Sequence, residues 1–244
     1  MSGIDVLVLS AHPDDAELAV AGTVKGLTNA GRSVVFVECT RGELGTRGTP
    51  ELRAAEAQHA SEILGVTLRE NLGMPDGAVA HTQANILAVV GAIRRHRPRI
   101  MLIPPPFERH PDHEAVHRLA RAAAFTAGLA NVSVEHNGQA LAPHRPKAMY
   151  CFQQQYDFPQ APSFYVDITA TWADKLASIR AYASQFHVPD VYQSDEPQTF
   201  ISRPGFVEEL EARARYYGSR IGTTYAEAYL SVEPLGFASM DVLL

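Results

Sequence analysis

Short apolar runs alternate with longer amphipathic segments over the first two-thirds of the chain. The apolar runs have the length of strands, and the first contains no polar residue, as expected for a strand buried on both faces. These predicted strands span residues 6–9, 33–39, 67–72 and 100–103. The segments between them carry helix start and stop signals, and the predicted helices span residues 16–30, 49–65 and 82–97. Strands that alternate with helices in this way are typical of a parallel sheet covered on both faces.

The last third of the chain has a different pattern, but no linker or repeat separates it from the rest. Its predicted strands are 147–153 and 164–168, its predicted helices are 169–186 and 204–217, and its irregular loop is 189–204. We therefore predict an α/β, Rossmann-like three-layer fold with a mostly parallel sheet, helices on both faces and a C-terminal α+β extension. We expect residues 1–244 to form a single domain.

Composition and charge limit the kinds of molecule that the protein is expected to bind. The net charge is −6, which does not favour a nucleic-acid or anionic-membrane surface. No segment reaches the roughly 20 apolar residues of a membrane-spanning helix, and the residues from Met1 lack the basic region of a signal peptide. The two cysteines, Cys39 and Cys151, are too few for a disulfide framework. We therefore expect a cytoplasmic protein that binds neither nucleic acid nor membrane.

Clusters of polar side chains follow three of the predicted strands. They occupy residues 10–17, 40–43 and 104–113. Because ligands of an open α/β sheet bind beyond the carboxyl ends of the strands, we expect these clusters to surround a common site. The glycine-rich turn that a dinucleotide requires is missing after the first strand, and His-Pro-Asp-Asp stands in its place at 12–15.

The residue types in these clusters are those of a catalytic metal site. A catalytic zinc ion usually has three protein ligands and one open position for water. His12 and Asp15 are two candidate ligands, and the third could be His110, His113 or His117. Two histidines and a carboxylate would also suit Fe²⁺, Co²⁺ or Mn²⁺.

The remaining polar groups meet the requirements of amide hydrolysis. A bound metal lowers the pKa of a water molecule toward neutrality, and Asp14 could accept the proton of that water. A histidine that is not a ligand could stabilise the oxyanion or protonate the leaving amine. The two loops therefore predict a complete site for metal-assisted hydrolysis of an amide.

Two motifs carry a resemblance to a known family. The first is Ala-His-Pro-Asp-Asp-Ala-Glu at 11–17, and the second is His-Pro-Asp-His at 110–113. In this order, and after these strands, they resemble the LmbE-like (PIG-L) family of zinc-dependent N-acetylglucosaminyl deacetylases. The resemblance implies that the chain is an enzyme that acts on a small N-acetylated sugar conjugate.

The resemblance also implies a role for each polar residue of the two motifs. It implies Zn²⁺ as the cofactor, with His12, Asp15 and His113 as its ligands. Asp14 would be the general base, and His110 would stabilise the oxyanion or act as the acid.

The subgroup that the chain resembles most is the bacterial deacetylase of N-acetyl-alpha-D-glucosaminyl L-malate in bacillithiol biosynthesis. The supporting stretches are 52–57, 109–113, 124–129, 181–186 and 225–227. The resemblance implies that malate conjugate as the substrate and a homo-oligomer, such as a hexamer, as the assembly.

Four further residues are candidate substrate contacts. The planar guanidinium of Arg53 suits a carboxylate such as malate, although Arg53 and Glu56 could also form a structural ion pair on one helix. Arg109 is expected near the mouth of the pocket, and Tyr192 is the candidate for a tyrosine that reaches the active site from the irregular loop.

Two alternatives to deacetylation of the malate conjugate remain open from the sequence. The same site could deacetylate another N-acetylated sugar, such as chitobiose, or a non-sugar amide. A metal-dependent binding or sensor protein without turnover is the alternative from another class. Asp14 and His110 argue against that alternative, because neither is needed merely to hold a metal.

Overall fold

The computed structural model describes residues 3–188 and 190–243. Met1 and Ser2, on which the predicted lack of a signal peptide rests, lie outside the described residues, and so does Pro189, the first residue of the predicted irregular loop. The strands are β1 (Val6–Ser10), β2 (Val34–Glu38), β3 (Leu68–Asn71), β4 (Ile100–Ile103), β5 (Glu135–His136), β6 (Gln139–Ala140), β7 (Ala148–Phe152), β8 (Phe164–Asp167) and β9 (Ala226–Ser231). The α-helices are α1 (Asp15–Asn29), α2 (Pro50–Leu64), α3 (Gln83–His96), α4 (Pro111–Ala127), α5 (Trp172–Arg180) and α6 (Phe206–Ile221).

Within the described part of the chain, seven strands form one sheet in the order β3-β2-β1-β4-β7-β9-β8. β1 pairs in parallel with β2 and β4, β2 pairs with β3, and β4 pairs with β7. β9 runs antiparallel to both β7 and β8, and β5 and β6 form a separate hairpin. The predicted α/β fold with a mostly parallel sheet is therefore confirmed.

Alternate residues of the central strand β1 face opposite sides of the sheet, and helices cover each side. Val6 and Val8 pack with apolar residues of α1 and α2, whereas Leu7 and Leu9 pack with apolar residues of α3 and α4. All four side chains are buried. Burial on both faces explains why this strand is apolar from Val6 to Leu9.

The beginnings of α2 and α3 and the end of α2 are set by local signals that can be recognised in the sequence. The side chain of Thr49 accepts a hydrogen bond from the N–H of Leu52, and that of Thr82 accepts one from the N–H of Asn85. α2 ends before Gly65, which has a φ of 70°, in the left-handed region that glycine adopts easily. The predicted bounds of these helices therefore agree closely with the structure.

The helix predicted at 169–186 is shorter than expected. A 3₁₀ turn begins it, and α5 ends at Arg180. Beyond this point the chain bends, because the Glu56 carboxylate accepts hydrogen bonds from the backbone N–H and the hydroxyl of Ser184, both at 2.7 Å. The prediction is therefore wrong for residues 181–186, where a contact with α2 overrides the local helical pattern.

The strand β9 is not predicted from the sequence, because a buried charge interrupts its apolar pattern. The Glu227 carboxylate accepts hydrogen bonds from the backbone N–H groups of Gly22 and Thr23, and it lies 2.6 Å from the Lys175 ammonium. These partners satisfy the charge, as buried carboxylates require. β9 in turn holds the sheet and α6 together.

The direction of the strand order reverses between β1 and β4. The carboxyl ends of these two strands therefore border a crevice, which is where open α/β sheets bind ligands. The loop after β1 and the loop before α4 both open into it. Among the described residues, none of the helices combines the length and the apolar composition needed to cross a bilayer.

Candidate metal centre and active-site cavity

The loop after β1 turns sharply and directs two adjacent aspartates to different partners. Asp14 precedes α1 and has a φ of 98°, in the left-handed region that a residue with a Cβ atom rarely adopts. Asp15 begins α1, and its Oδ2 accepts the backbone N–H groups of Ala11 and His12 at 3.1 and 2.9 Å. The strained turn therefore separates the two carboxylates, and strain of this kind is common at functional sites.

Asp14 is bonded to Arg53 in the interior of the site. Nη2 of Arg53 donates to Oδ2 of Asp14 at 2.6 Å and to the carbonyl oxygen of Pro13 at 2.8 Å. Both side chains are buried. Burial raises the pKa of Asp14 to about 6, although the positive charge of Arg53 opposes the rise. A carboxylate with a pKa near neutrality is suited to take up and release a proton.

The loop that precedes α4 places His110 and His113 at the beginning of that helix. Nδ1 of His110 accepts a hydrogen bond from the backbone N–H of Asp112 at 3.3 Å. In the neutral ring, the proton is therefore assigned to Nε2, which becomes a donor. Burial lowers the pKa of His110, and the neighbouring rings of His12 and His113 lower it further. His110 is thus held as a neutral hydrogen-bond donor.

Three of the predicted residues face one another at the centre of the site. Nε2 of His113 lies 3.2 Å from Oδ1 of Asp15, and Nδ1 of His12 lies 3.6 Å from Oδ2 of the same carboxylate. All three residues are buried. Burial would raise the pKa of Asp15, but His113 and His12 hold it well below its usual range. One ionised carboxylate between two imidazoles is a donor set that suits Zn²⁺.

The residues present fit a divalent metal ion. Nδ1 of His113 is buried and has no hydrogen-bond partner, although buried polar atoms are usually paired. Ring nitrogens of His12, His110 and His113 lie within 4.8 Å of one another, and His12 forms a second such group with Asp76 and Asp112. Among the described residues, His12 is therefore common to both groups of donors.

Two carboxylates that the sequence did not single out lie beside His12. Its Nε2 is 3.0 Å from Asp76 Oδ1 and 3.3 Å from Asp112 Oδ2. A ring nitrogen between two carboxylates carries the proton, so Nδ1 is left free to face a metal. Asp112 also accepts the backbone N–H groups of Gly77 and Val79. The sequence contains a signal for each of these carboxylates, because Asp76 follows the third strand and Asp112 lies inside the second motif.

His117 is the candidate ligand that does not reach the centre. Its Nδ1 lies 2.9 Å from the carbonyl oxygen of Pro104, and the side chain does not line the cavity described below. Burial lowers the pKa of His117. The open choice between three histidines is thereby reduced to His110 and His113.

A cavity of about 380 Å³ opens in front of the two motif loops. Two groups of residues form much of its lining. The metal-side wall consists of His12, Asp14, Asp15, His110 and His113. The β7–α6 wall comes from the loop after β7, the segment before α6 and α6 itself, and consists of Gln154, Gln155, Thr199, Phe200 and Arg213.

Two of the four predicted substrate contacts lie in this cavity. Arg53 and Arg109 line it, and the Arg109 guanidinium lies 4.6 Å from the centre of the Phe200 ring. Glu56 and Tyr192 do not line it. Glu56 is bonded to Ser184 as described above, and the Tyr192 hydroxyl donates to Glu196 at 2.9 Å beside a separate cavity.

The β7–α6 wall is absent from the residues predicted from the sequence. A signal existed for Gln154 and Gln155, because they follow a predicted strand of the sheet. No comparable signal exists for Arg213, because it lies on a helix of the C-terminal extension whose packing the sequence does not reveal. The sequence gives no signal for Phe200 either, because Phe200 lies in a segment predicted only as irregular.

Comparisons with known proteins identify similar sequences and structures. Residues 7–124 match the family model described as PIG-L, GlcNAc-PI de-N-acetylase. The diacetylchitobiose deacetylase of Thermococcus kodakarensis is 33% identical over 232 residues, which cover 91% of this chain and 80% of that protein. A Bacillus cereus protein named probable N-acetyl-alpha-D-glucosaminyl L-malate deacetylase 2 is 32% identical over 126 residues, which cover 46% of this chain and 57% of that one. The crystal structure of the conserved protein TT1542 of Thermus thermophilus has a TM-score of 0.84 and 38% identity, and covers 96% of this chain and 97% of its own.

Proposed function

The chain belongs to the PIG-L family, and from that membership we propose that it hydrolyses the N-acetyl group of an N-acetylglucosamine conjugate. The observation that carries the proposal is the convergence of the two motif loops on one cavity. A metal-donor set, a carboxylate with a raised pKa and a neutral histidine donor meet there. These are the groups that metal-assisted amide hydrolysis requires.

The proposed ligands are His12, Asp15 and His113, and the proposed metal is Zn²⁺. His110 is the less suitable third ligand, because its Nδ1 is occupied by the N–H of Asp112, whereas Nδ1 of His113 has no hydrogen-bond partner among the described residues. When bound, a divalent ion at such a site lowers the pKa of water and polarises the acyl oxygen. The same donors would accept Fe²⁺, Co²⁺ or Mn²⁺, so metal content after purification without added zinc is the direct check.

The proposed roles of the chain's own residues follow from their positions. Asp14 takes the proton of the attacking water, and Arg53 holds the Asp14 carboxylate in one orientation. The water oxygen forms a bond to the acetyl carbon, and the Nε2–H of His110 stabilises the resulting oxyanion. When the C–N bond breaks, the proton held on Asp14 can pass to the leaving nitrogen. Acetate and a free amine are the products.

The aglycone is the finer part of the proposal. The sequence resemblance favours N-acetyl-alpha-D-glucosaminyl L-malate, and the Bacillus cereus relative carries that substrate in its name. The Thermococcus kodakarensis relative, which covers 91% of this chain, is named for diacetylchitobiose instead. On the strength of the sequence resemblance we propose the malate conjugate as the substrate, and diacetylchitobiose is the second candidate.

Amine release by the zinc-loaded protein tests the proposal. The substrates are the malate conjugate, diacetylchitobiose and free N-acetylglucosamine, each with a chelated control. We expect metal-dependent turnover of at least one of them. If metal binds but no amine is released from any substrate, the deacetylase proposal fails and the sensor alternative gains support.

Three further properties remain proposals. We propose that residues 1–244 act as one domain, that the chain forms a homo-oligomer such as a hexamer, and that it works in the cytoplasm on a small molecule. The net charge of −6 supports the absence of a nucleic-acid partner. Light scattering of the purified chain measures the oligomeric state directly.

A further inference from the structure

Gln154 presents a buried amide nitrogen to the cavity. It follows β7, lines the cavity and is only 6% exposed. Its Nε2 has no hydrogen-bond partner among the described residues. An unpaired buried amide is costly, so a group of this kind at a cavity wall is commonly satisfied by a ligand.

Arg213 lies beside this amide and is likewise incompletely partnered. Among the described residues, its guanidinium donates to the carbonyl oxygen of Gln154 and to no other acceptor. No carboxylate oxygen of the described residues lies within 4.0 Å of it. Burial lowers the pKa of Arg213, as expected for a partly desolvated cation. A guanidinium has five N–H donors, so most of them remain available.

The carboxylates around Arg213 are engaged elsewhere. Glu108 accepts the backbone N–H groups of residues 109, 155 and 156. Asp157 accepts the side-chain amide of Gln153 at 2.8 Å, and Glu209 is bonded to Arg203. None of them is therefore placed to neutralise Arg213 by direct contact.

Other openings near Arg213 do not account for its unpaired donors. It also borders a second cavity of about 20 Å³, which has room for little more than a water molecule. A neutral sugar hydroxyl would satisfy the Gln154 amide but would not offset the charge of a desolvated guanidinium. An anion that reaches both groups through the main cavity would satisfy both.

We propose that Gln154 and Arg213 form a subsite that binds an anionic group on the aglycone, either a carboxylate or a phosphate. This proposal rests on the deacetylase function proposed above and adds a specificity determinant to it. Arg109, which also lines the cavity without an ion-pair partner among the described residues, adds positive charge at the same cavity. The subsite would therefore select charged conjugates over neutral glycosides.

Relative kcat/KM on three substrates tests the subsite. The substrates are the malate conjugate, N-acetylglucosamine 1-phosphate and neutral methyl N-acetylglucosaminide. We expect the wild-type protein to prefer one or both anionic substrates, and the better of the two identifies the anion. In Arg213→Met, the anionic-to-neutral ratio of kcat/KM should fall about tenfold to a hundredfold, as expected for lost hydrogen bonds to a charged group.

Two variants separate recognition from a structural role. Arg215 lies two residues away on the same helix, is exposed and pairs with Glu211, so Arg215→Met should leave the ratio unchanged. Gln154→Glu keeps the shape of the side chain but introduces a negative charge, and it should lower the ratio as well. Thermal melts of all the variants check that each one folds.

The outcomes distinguish this proposal from the one on which it rests. Equal losses on charged and neutral substrates in Arg213→Met, or a wild-type preference for the neutral glycoside, would overturn the subsite while leaving the deacetylase intact. If no substrate is turned over, calorimetry with glucosaminyl malate and methyl glucosaminide decides. Wild-type binding of the charged compound that Arg213→Met loses would support the subsite without the deacetylase, and equal binding by both proteins would overturn it.

Discussion

The metal-side wall and the β7–α6 wall line one cavity but differ in how their polar atoms are partnered. On the metal-side wall, Asp14 is bonded to Arg53, and His12 is bonded to two carboxylates. On the β7–α6 wall, Nε2 of Gln154 has no partner and Arg213 has no counter-ion among the described residues. On the metal-side wall these groups are partnered within the protein, and Nδ1 of His113, which faces the proposed metal site, is the buried atom left unpaired; the β7–α6 wall leaves hydrogen-bond donors free.

This difference separates two tasks that an enzyme must perform. Groups that act on the reacting atoms must be held in place before the substrate arrives, because reorganisation during the reaction raises the barrier. Groups that recognise the remainder of a substrate can leave donors unpaired until the matching acceptor binds. Changes to the metal-side wall should therefore alter kcat or metal binding, and changes to the β7–α6 wall should alter KM and substrate preference.

The largest expected effect is on Asp14. Asp14→Asn keeps the shape and a hydrogen-bond acceptor but cannot take the proton of water, so kcat should fall by about 10²–10⁴-fold. Metal content, measured by atomic absorption, should stay at the wild-type level. Asp241→Asn is the control, because Asp241 is exposed and, among the described residues, is bonded to Ser239 alone. Near-wild-type turnover in Asp14→Asn would remove Asp14 from the chemistry.

A smaller effect, on metal affinity, is expected for Asp112, which lies beside His12. Asp112→Asn weakens the acceptor that orients the His12 ring, so metal affinity should fall by about 10–100-fold. Competition with a chromogenic chelator measures that affinity. Glu114→Gln changes the other acidic residue in the first turn of α4 and should leave metal affinity unchanged. Equal affinity in the two variants would contradict an orienting role for Asp112.

On the β7–α6 wall, the effect of removing an aromatic ring should fall mainly on KM. Phe200 lies beneath the Arg109 guanidinium and packs edge-on against Phe206. Phe200→Ala should raise KM about threefold to tenfold, the range expected for one lost aromatic contact. Phe237 is exposed and does not line the cavity, so Phe237→Ala should not change KM. A loss confined to kcat would place Phe200 with the catalytic groups instead.

The smallest expected effect is a change of KM with salt concentration, which separates the roles of the two walls. Raising ionic strength from about 0.05 M to about 0.5 M should raise KM for an anionic substrate about threefold, because salt screens its attraction to partly exposed cations. The kcat of the same substrate should change little. Initial rates on charged and neutral conjugates provide the comparison, and an equal response of both substrates would argue against charge recognition.

Much of the fold could be predicted from local sequence. The first four residues of β1 are apolar because both faces of the strand are covered, and the ends of α2 and α3 are marked by Thr49, Gly65 and Thr82. Such signals act within a few residues, so they can be recognised without knowing the rest of the structure. Residues 181–186 and β9 could not be predicted, because Glu56 and Lys175 act on them from distant parts of the chain.

The sequence by itself determined the α/β class, the two motifs and the types of side chain that the metal-side wall contains. It could do so because these residues lie directly after strands, and parallel strands bring their carboxyl ends to one edge. Only the tertiary structure decided that His117 turns to Pro104, that Asp76 lies beside His12, and that Arg213 reaches the cavity. Those placements depend on how loops and the C-terminal helix pack across the sheet, over distances that no local pattern records.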